Sequence, residues 1–163
     1  MIPQVYQKER QLLERVKEFL ASLNNSQEEQ ASMSFATALA ALMVEVMRAD
    51  NEVMPQELEM VAKLLQRQCQ LSAQSSELIR SEAQQLVDTA IDLHRFIKVV
   101  NEHTDELARI EVIELMWMVA FSDGKLDPQE DYTVRKIAGL MYVAHGDFIS
   151  AKLRAKDALG LAE

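Results

Sequence analysis

LMWMVAFSDGKLDPQE, Leu115 to Glu130, begins wholly apolar, breaks at Ser122-Asp123-Gly124 and restarts at Asp127-Pro128-Gln129-Glu130. Seventy-three residues earlier the chain does nearly the same thing: LMVEVMRADNEVMPQE, Leu42 to Glu57. At this offset Leu42 pairs with Leu115, Met43 with Met116, Val46 with Val119, Asp50 with Asp123, Pro55 with Pro128, Gln56 with Gln129, Glu57 with Glu130, Val61 with Val134 and Lys63 with Lys136. The identities cluster around the joint. Each copy reads helix, acidic joint, proline, helix, which is an αα-hairpin. Neither hairpin can bury its apolar face alone. Packing the two about a pseudo-twofold, with the other helices around them, is the economical solution. Both joints would then lie at one end of the bundle. Asp50, Glu52, Glu57, Asp123, Asp127 and Glu130 would form one negative surface.

Outward from the joints the chain stays helical. Proline suits the first helical turn, where its missing N–H is no loss, so Pro55 and Pro128 both restart helices. Asp127-Pro128-Gln129-Glu130 supplies a cap, a proline and a glutamate at the third position, a capping-box arrangement. Leu58, Val61 and Leu65 carry the first restarted helix to about Cys69; Val134, Ile137 and Met141 carry the second. Residues 34–49 form an alanine-rich helix with Ser34 as cap. From Ala31 to Met47 the only charge is Glu45, which sits at a rim or is paired. Ser75 or Ser76 opens a stretch whose stripe runs from Ile79 to Val100, either one long helix or two meeting near Asp92. Thr104 is the expected cap of the helix that ends in LMWMVAF, expected to be the most buried because it has no polar side. Gly146-Asp147 turns into a last helix, 148–159, closed by Gly160. Lys152, Arg154 and Lys156 lie where cations complement its dipole. At the other end, residues 4–23 are amphipathic: Val5, Leu12, Val16, Phe19 and Leu23 make a stripe, and Lys8, Glu9, Arg10, Glu14, Arg15, Lys17 and Glu18 a solvated face.

Composition agrees with this reading. Four glycines and three prolines in 163 residues are too few for the turns of a sheet protein. The expectation is an all-α, single-domain helical bundle of about seven helices: an N-terminal helix within 1–30, then a domain over 31–160 with repeats at about 35–69 and 106–142, forming one compact unit. A net charge of −9, from 17 basic and 26 acidic residues, repels nucleic-acid phosphates and anionic lipid unless a local basic patch intervenes. Cations and basic proteins are better partners. The longest unbroken apolar run, Leu115 to Phe121, is far short of the ~20 residues needed to span a bilayer. MIPQVYQKER shows no basic start followed by an apolar run. One cysteine, Cys69, makes no internal disulfide. Together these give the expectation of a cytoplasmic protein without membrane insertion.

The residues that carry the duplication also carry a family resemblance. RADNEVMPQE in the first copy and VAFSDGKLDPQE in the second resemble the tellurite-resistance TerB family, whose signature is an alanine- and aspartate-bearing joint followed by a glutamate. DLHRFIKVVNE at 92–102 and HGDFISAKLRAK at 145–156 are similar to an uncharacterised bacterial branch of it. The resemblance covers roughly residues 35 to 156. It implies an all-helical domain with a TerB-like topology, no established enzymatic activity, a proposed acidic cation-binding surface, and a link to tellurite and other chemical stress. The chain departs from the pattern at Asn51-Glu52, where the family usually has glycine.

The chemistry on offer is therefore acidic. Asp50, Glu57, Asp123, Asp127 and Glu130 are the candidate metal ligands, and oxygen donors of this kind suit Ca²⁺ or Mg²⁺. The spacing is not that of an EF-hand. A plainer account makes the same residues helix caps and turn formers, leaving a protein–protein interaction module with no metal. Other chemistries are poorly supported. His94, His103 and His145 lack zinc-ligand spacing. Cys69 sits near a helix C-terminus, where the dipole raises its pKa. Met43 and Met47 are core gap-fillers rather than soft-metal ligands. Glycine-rich phosphate loops, GxSxG and CxxC are missing. The expectation is a non-enzymatic protein with a divalent cation or a basic protein as partner and no other cofactor.

Overall fold

The computed structural model describes residues 11–20, 33–89 and 92–161. The chain divides into two compact units, Met1–Met33 and Ser34–Glu163. In the first, residues 11–20 are helical (α1) and all ten are exposed. The remainder of the helix expected over 4–23 lies outside the described residues.

The second unit contains α2 (Phe35–Met47), α3 (Pro55–Cys69), α4 (Ala73–Thr89), α5 (His94–Glu102), α6 (Glu106–Ala120), α7 (Pro128–Leu140) and α8 (His145–Ala158). There is no strand among the described residues, so the fold is all-α as expected. Among the described residues eight helices stand where about seven were expected, because the stretch from Ile79 to Val100 is two helices. The α5 start is marked by Asp92, whose Oδ1 accepts the His94 N–H at 3.0 Å.

α2 is the centre of this unit, and it packs against α3, α4, α5, α6 and α7. Every residue from Ala38 to Val44 is fully buried. This corrects the expectation that α6 is the most buried helix. The alanines explain the difference: small side chains let neighbours approach from all sides, which a helix of large residues cannot allow. α6 is still core, with Ile113, Met116, Trp117 and Val119 fully buried, but Met118 reaches the surface partly. α8 lies along α6. Lys152 and Lys156 spread over the Trp117 and Phe121 rings at 5.0 and 5.8 Å, and Arg154 meets Glu114 at 3.0 Å. These cations clamp a helix as well as complementing a dipole.

The two hairpins exchange contacts as a pseudo-twofold requires: α2 packs on α6, α3 on α6, and α7 on α2. Several caps differ in detail from expectation. Ser34 caps α2 by accepting the Thr37 N–H at 3.0 Å. The α6 cap is Asp105, whose Oδ1 accepts from Ala108 N at 2.8 Å, while Thr104 instead turns its hydroxyl back to the Val100 carbonyl. α4 starts at Ala73, with the Ser72 hydroxyl accepting from Ser75 N, and α8 starts at His145, placing Gly146 inside its first turn. At α4 and α6 a neighbouring short polar residue competes for the same end of the helix, and periodicity cannot separate them.

Candidate functional site

The two joints are built by the same bonds. After α2, the N–H of Arg48 reaches the Val44 carbonyl at 2.9 Å and that of Asn51 the Arg48 carbonyl at 3.0 Å. After α6, the N–H of Phe121 reaches the Trp117 carbonyl at 2.9 Å and that of Gly124 the Phe121 carbonyl at 2.8 Å. Asp50 Oδ1 accepts the Glu52 N–H at 3.0 Å, and Asp123 Oδ1 accepts the Lys125 N–H at 3.0 Å. Between them the backbone must pass through the left-handed region, at φ 62° for Asn51 and 82° for Gly124. Glycine enters that region freely, and asparagine is among the few other residues that tolerate it. The departure at Asn51 therefore leaves the corner unchanged.

Beyond the corners come the N-termini of α3 and α7. Asp127 caps α7 as expected, its Oδ1 accepting from Gln129 N at 2.8 Å. The capping-box glutamate operates in the first copy, where Glu57 Oε1 accepts the Met54 N–H at 3.1 Å; the α7 cap is made by Asp127 alone. Both glutamates face inward, and each is only 2% exposed. The Oε2 atoms of Glu57 and Glu130 are both buried without a hydrogen-bond partner. A buried carboxylate oxygen left unpaired is costly, so such atoms call for an explanation.

Electrostatics place the two copies together. Burial pushes the Glu57 carboxyl up to about 7; the Met54 N–H pulls it back, and Asp50 and Asp123 push it further up. Burial pushes Glu130 up to about 9, reinforced by Glu57, Asp50, Asp123 and Asp127. Each glutamate thus feels the aspartates of both corners. All five candidate residues, Asp50, Glu57, Asp123, Asp127 and Glu130, contribute to one electrostatic cluster. Glu52 is exposed and is not among the groups acting on either glutamate. Among the described residues no group of three or more His, Cys, Asp or Glu side chains is arranged to hold a metal ion. The cluster is two buried carboxyls with aspartates at their rim.

That division is not among the expectations from sequence, which take these residues as ligands or as helix caps and turn formers. A signal for it existed. Glu57 lies four residues before Val61, and Glu130 four before Val134, and both valines are fully buried. Residues four apart share a helix face, so the core stripes of α3 and α7 run through the glutamates. Elsewhere, Glu45 is half-buried, at the rim of α2; burial raises its pKa, and the charges of Arg48 and Lys136 act against that rise. Burial raises the Cys69 thiol, which keeps it protonated and unreactive. A groove of about 290 Å³ between α3 and α6, lined by residues including Leu64, Arg67, Glu111 and Leu115, has no serine, threonine, cysteine, lysine or histidine in its lining.

Comparison with known proteins places this arrangement in a family. No curated protein and no solved structure matches the chain. The family model described as tellurite resistance protein TerB matches residues 36–153, from the start of α2 into α8, and so includes both corners. The chain belongs to the TerB family.

Proposed function

We propose that the protein is a non-enzymatic binding protein of the cytoplasm, concerned with chemical stress such as tellurite, and that its paired corners hold a divalent cation. The observation that carries this reading is the pair of unpartnered Oε2 atoms on Glu57 and Glu130, both buried. Where both carboxyls are ionised they repel each other; one dication between them would satisfy both oxygens, displace the proton that otherwise relieves the repulsion and take its place. Mg²⁺ suits such a place. It is commonly held by one or two carboxylates and keeps several waters, and those waters would reach the rim aspartates Asp50, Asp123 and Asp127. Ca²⁺ asks for more oxygen ligands, which the joint carbonyls would have to supply.

Calorimetry and thermal melting with Mg²⁺, Ca²⁺ and Zn²⁺ test the proposal. A ligand bound only by the native state raises the melting temperature by mass action. The expected result is a rise with Mg²⁺ or Ca²⁺ that is lost in Glu57→Gln and Glu130→Gln and weakened in Asp123→Asn. No heat and no shift with any of the three ions would refute it.

A second reading keeps the acidic surface and replaces the ion by a basic protein. Val53 and Met54, 42% and 39% exposed, flank the first corner and would add apolar contact to the charge. Binding of such a partner would survive chelation and leave the melting temperature indifferent to added cations.

A further inference from the structure

At the ends of α6 and α7 remote from the second corner, roughly 20 Å away along α6, the chain passes from α7 into α8. Met141 caps α7, and the Tyr142 and Val143 N–H groups donate to the Gly139 and Ala138 carbonyls at 3.2 and 3.0 Å. α8 ends with the same pair of bonds, from Gly160 and Leu161 to Asp157 and Lys156. The residue after the cap is left-handed in this motif, and glycine is its usual occupant. α8 has Gly160 there, at φ 69°, but α7 has Tyr142, at φ 58°. A bulky residue is strained in that region. Packing offers the tyrosine little in return, for it is 87% exposed. Strain kept without a structural return points to a ligand.

Tyr142 borders a cavity of about 210 Å³ whose described lining belongs wholly to the second unit. That volume is below the roughly 300–1,000 Å³ of sites for drug-sized ligands, so the occupant is small. Ile110, Met141 and Tyr142 give the cavity apolar surface. Three charged side chains share the lining: Glu106 and Arg109 from α6, and Asp147 from α8. Glu106 and Arg109 lie on one helix face, yet they form no ion pair. Arg109 turns to the C-terminal end of α5 instead. Its Nη2 donates to the Asn101 carbonyl at 3.1 Å and its Nε to Thr104 Oγ1 at 3.4 Å. These bonds orient the guanidinium and leave Nη1 without a partner among the described residues. Neither Glu106 nor Asp147 has a cation at ion-pair distance among the described residues. A ligand that is only a cation meets Arg109 unfavourably, and one that is only an anion meets two carboxylates. A molecule carrying both charges on one carbon suits all three groups. A small α-amino acid with an apolar side chain has that form.

We propose that the cavity between α6 and the α7–α8 joint binds a small apolar α-amino acid, with its carboxylate on Arg109, its ammonium on Glu106 and Asp147, and its side chain against Ile110, Met141 and Tyr142. The test is NMR titration of the full chain with L-leucine, read at the amides of Tyr142, Val143 and Ala144. Those amides shift saturably. N-acetyl-leucine and leucinamide, each lacking one of the two charges, bind at least tenfold more weakly. Asp147→Asn and Tyr142→Gly each weaken leucine binding at least tenfold. Tyr142→Gly raises the melting temperature at the same time, because glycine is unstrained at this φ, so loss of ligand is distinct from loss of fold. No saturable shift in the parent overturns the proposal, and so does leucine affinity unchanged in Tyr142→Gly. Leucinamide binding as tightly as leucine would leave Arg109 without a role, and N-acetyl-leucine binding as tightly would leave the carboxylates without one; either result also overturns it.

Discussion

Between Arg48 and Glu57, and again between Phe121 and Glu130, the chain turns the same corner with the same backbone bonds. The two copies differ in how their glutamates are served. Glu57 has one oxygen on the Met54 N–H, while at the second corner Asp127 takes over the capping. The carboxyl with a backbone donor rises to about 7 and the other to about 9. A duplicated corner can thus keep its geometry and still divide its labour: at one the glutamate caps its helix, and at the other the aspartate does.

The largest effects should come from the packing beneath the corners. Leu42 and Leu115 occupy equivalent places, but Leu42 is fully buried and Leu115 is 8% exposed, lining the groove between α3 and α6. Leu42→Ala should cost about 3–4 kcal/mol and Leu115→Ala about 2 kcal/mol, because the groove side can relax or hydrate. Urea melts of the two variants check this, and equal losses would mean that the hairpins are buried alike.

The next effect is on pH. A carboxyl whose native pKa lies above its ordinary 4.5 holds its proton more firmly in the folded state. The stability so contributed is complete below about pH 4.5 and is lost as pH rises through about 7 for Glu57 and about 9 for Glu130. Stability should therefore decline across this window without added cation. Glu130→Gln should flatten the decline, and Glu57→Gln should flatten it less. Added Mg²⁺ should oppose the decline, with a larger rise in melting temperature at pH 8.5 than at pH 6, since proton and cation compete for the same oxygens.

Smaller still is the difference between Asn51 and Gly124. Gly124→Ala should cost about 1 kcal/mol, because a side chain is strained at its φ of 82°. Asn51→Gly should change stability by less than about 0.5 kcal/mol. A large loss in Asn51→Gly would show that the asparagine side chain contributes more than a tolerated backbone.

Much of this could be read from the sequence. The repeat at 73 residues announced the hairpins, the prolines dated the helix restarts, and the duplicated Asp…Glu spacing marked the residues that cluster. Three things were hidden or left open, each for a physical reason. The break between α4 and α5 falls inside an unbroken apolar stripe, so periodicity runs across it. The centrality of α2 depends on alanines, whose value lies in what approaches them and not in their own hydrophobicity. The burial of Glu57 and Glu130 was legible only by following the core stripe of each helix back to its first turn, against the usual rule that glutamate faces water.

The account stands on the two glutamates sharing one buried place. Carboxyl-carbon NMR titration of Glu57 and Glu130 in cation-free protein, repeated in Glu57→Gln, tests that directly. The account predicts that Glu130 titrates well above Glu57 in the parent and moves down when Glu57 is neutralised. Two independent titrations near the ordinary glutamate value, with Glu130 unmoved by the substitution, would contradict it.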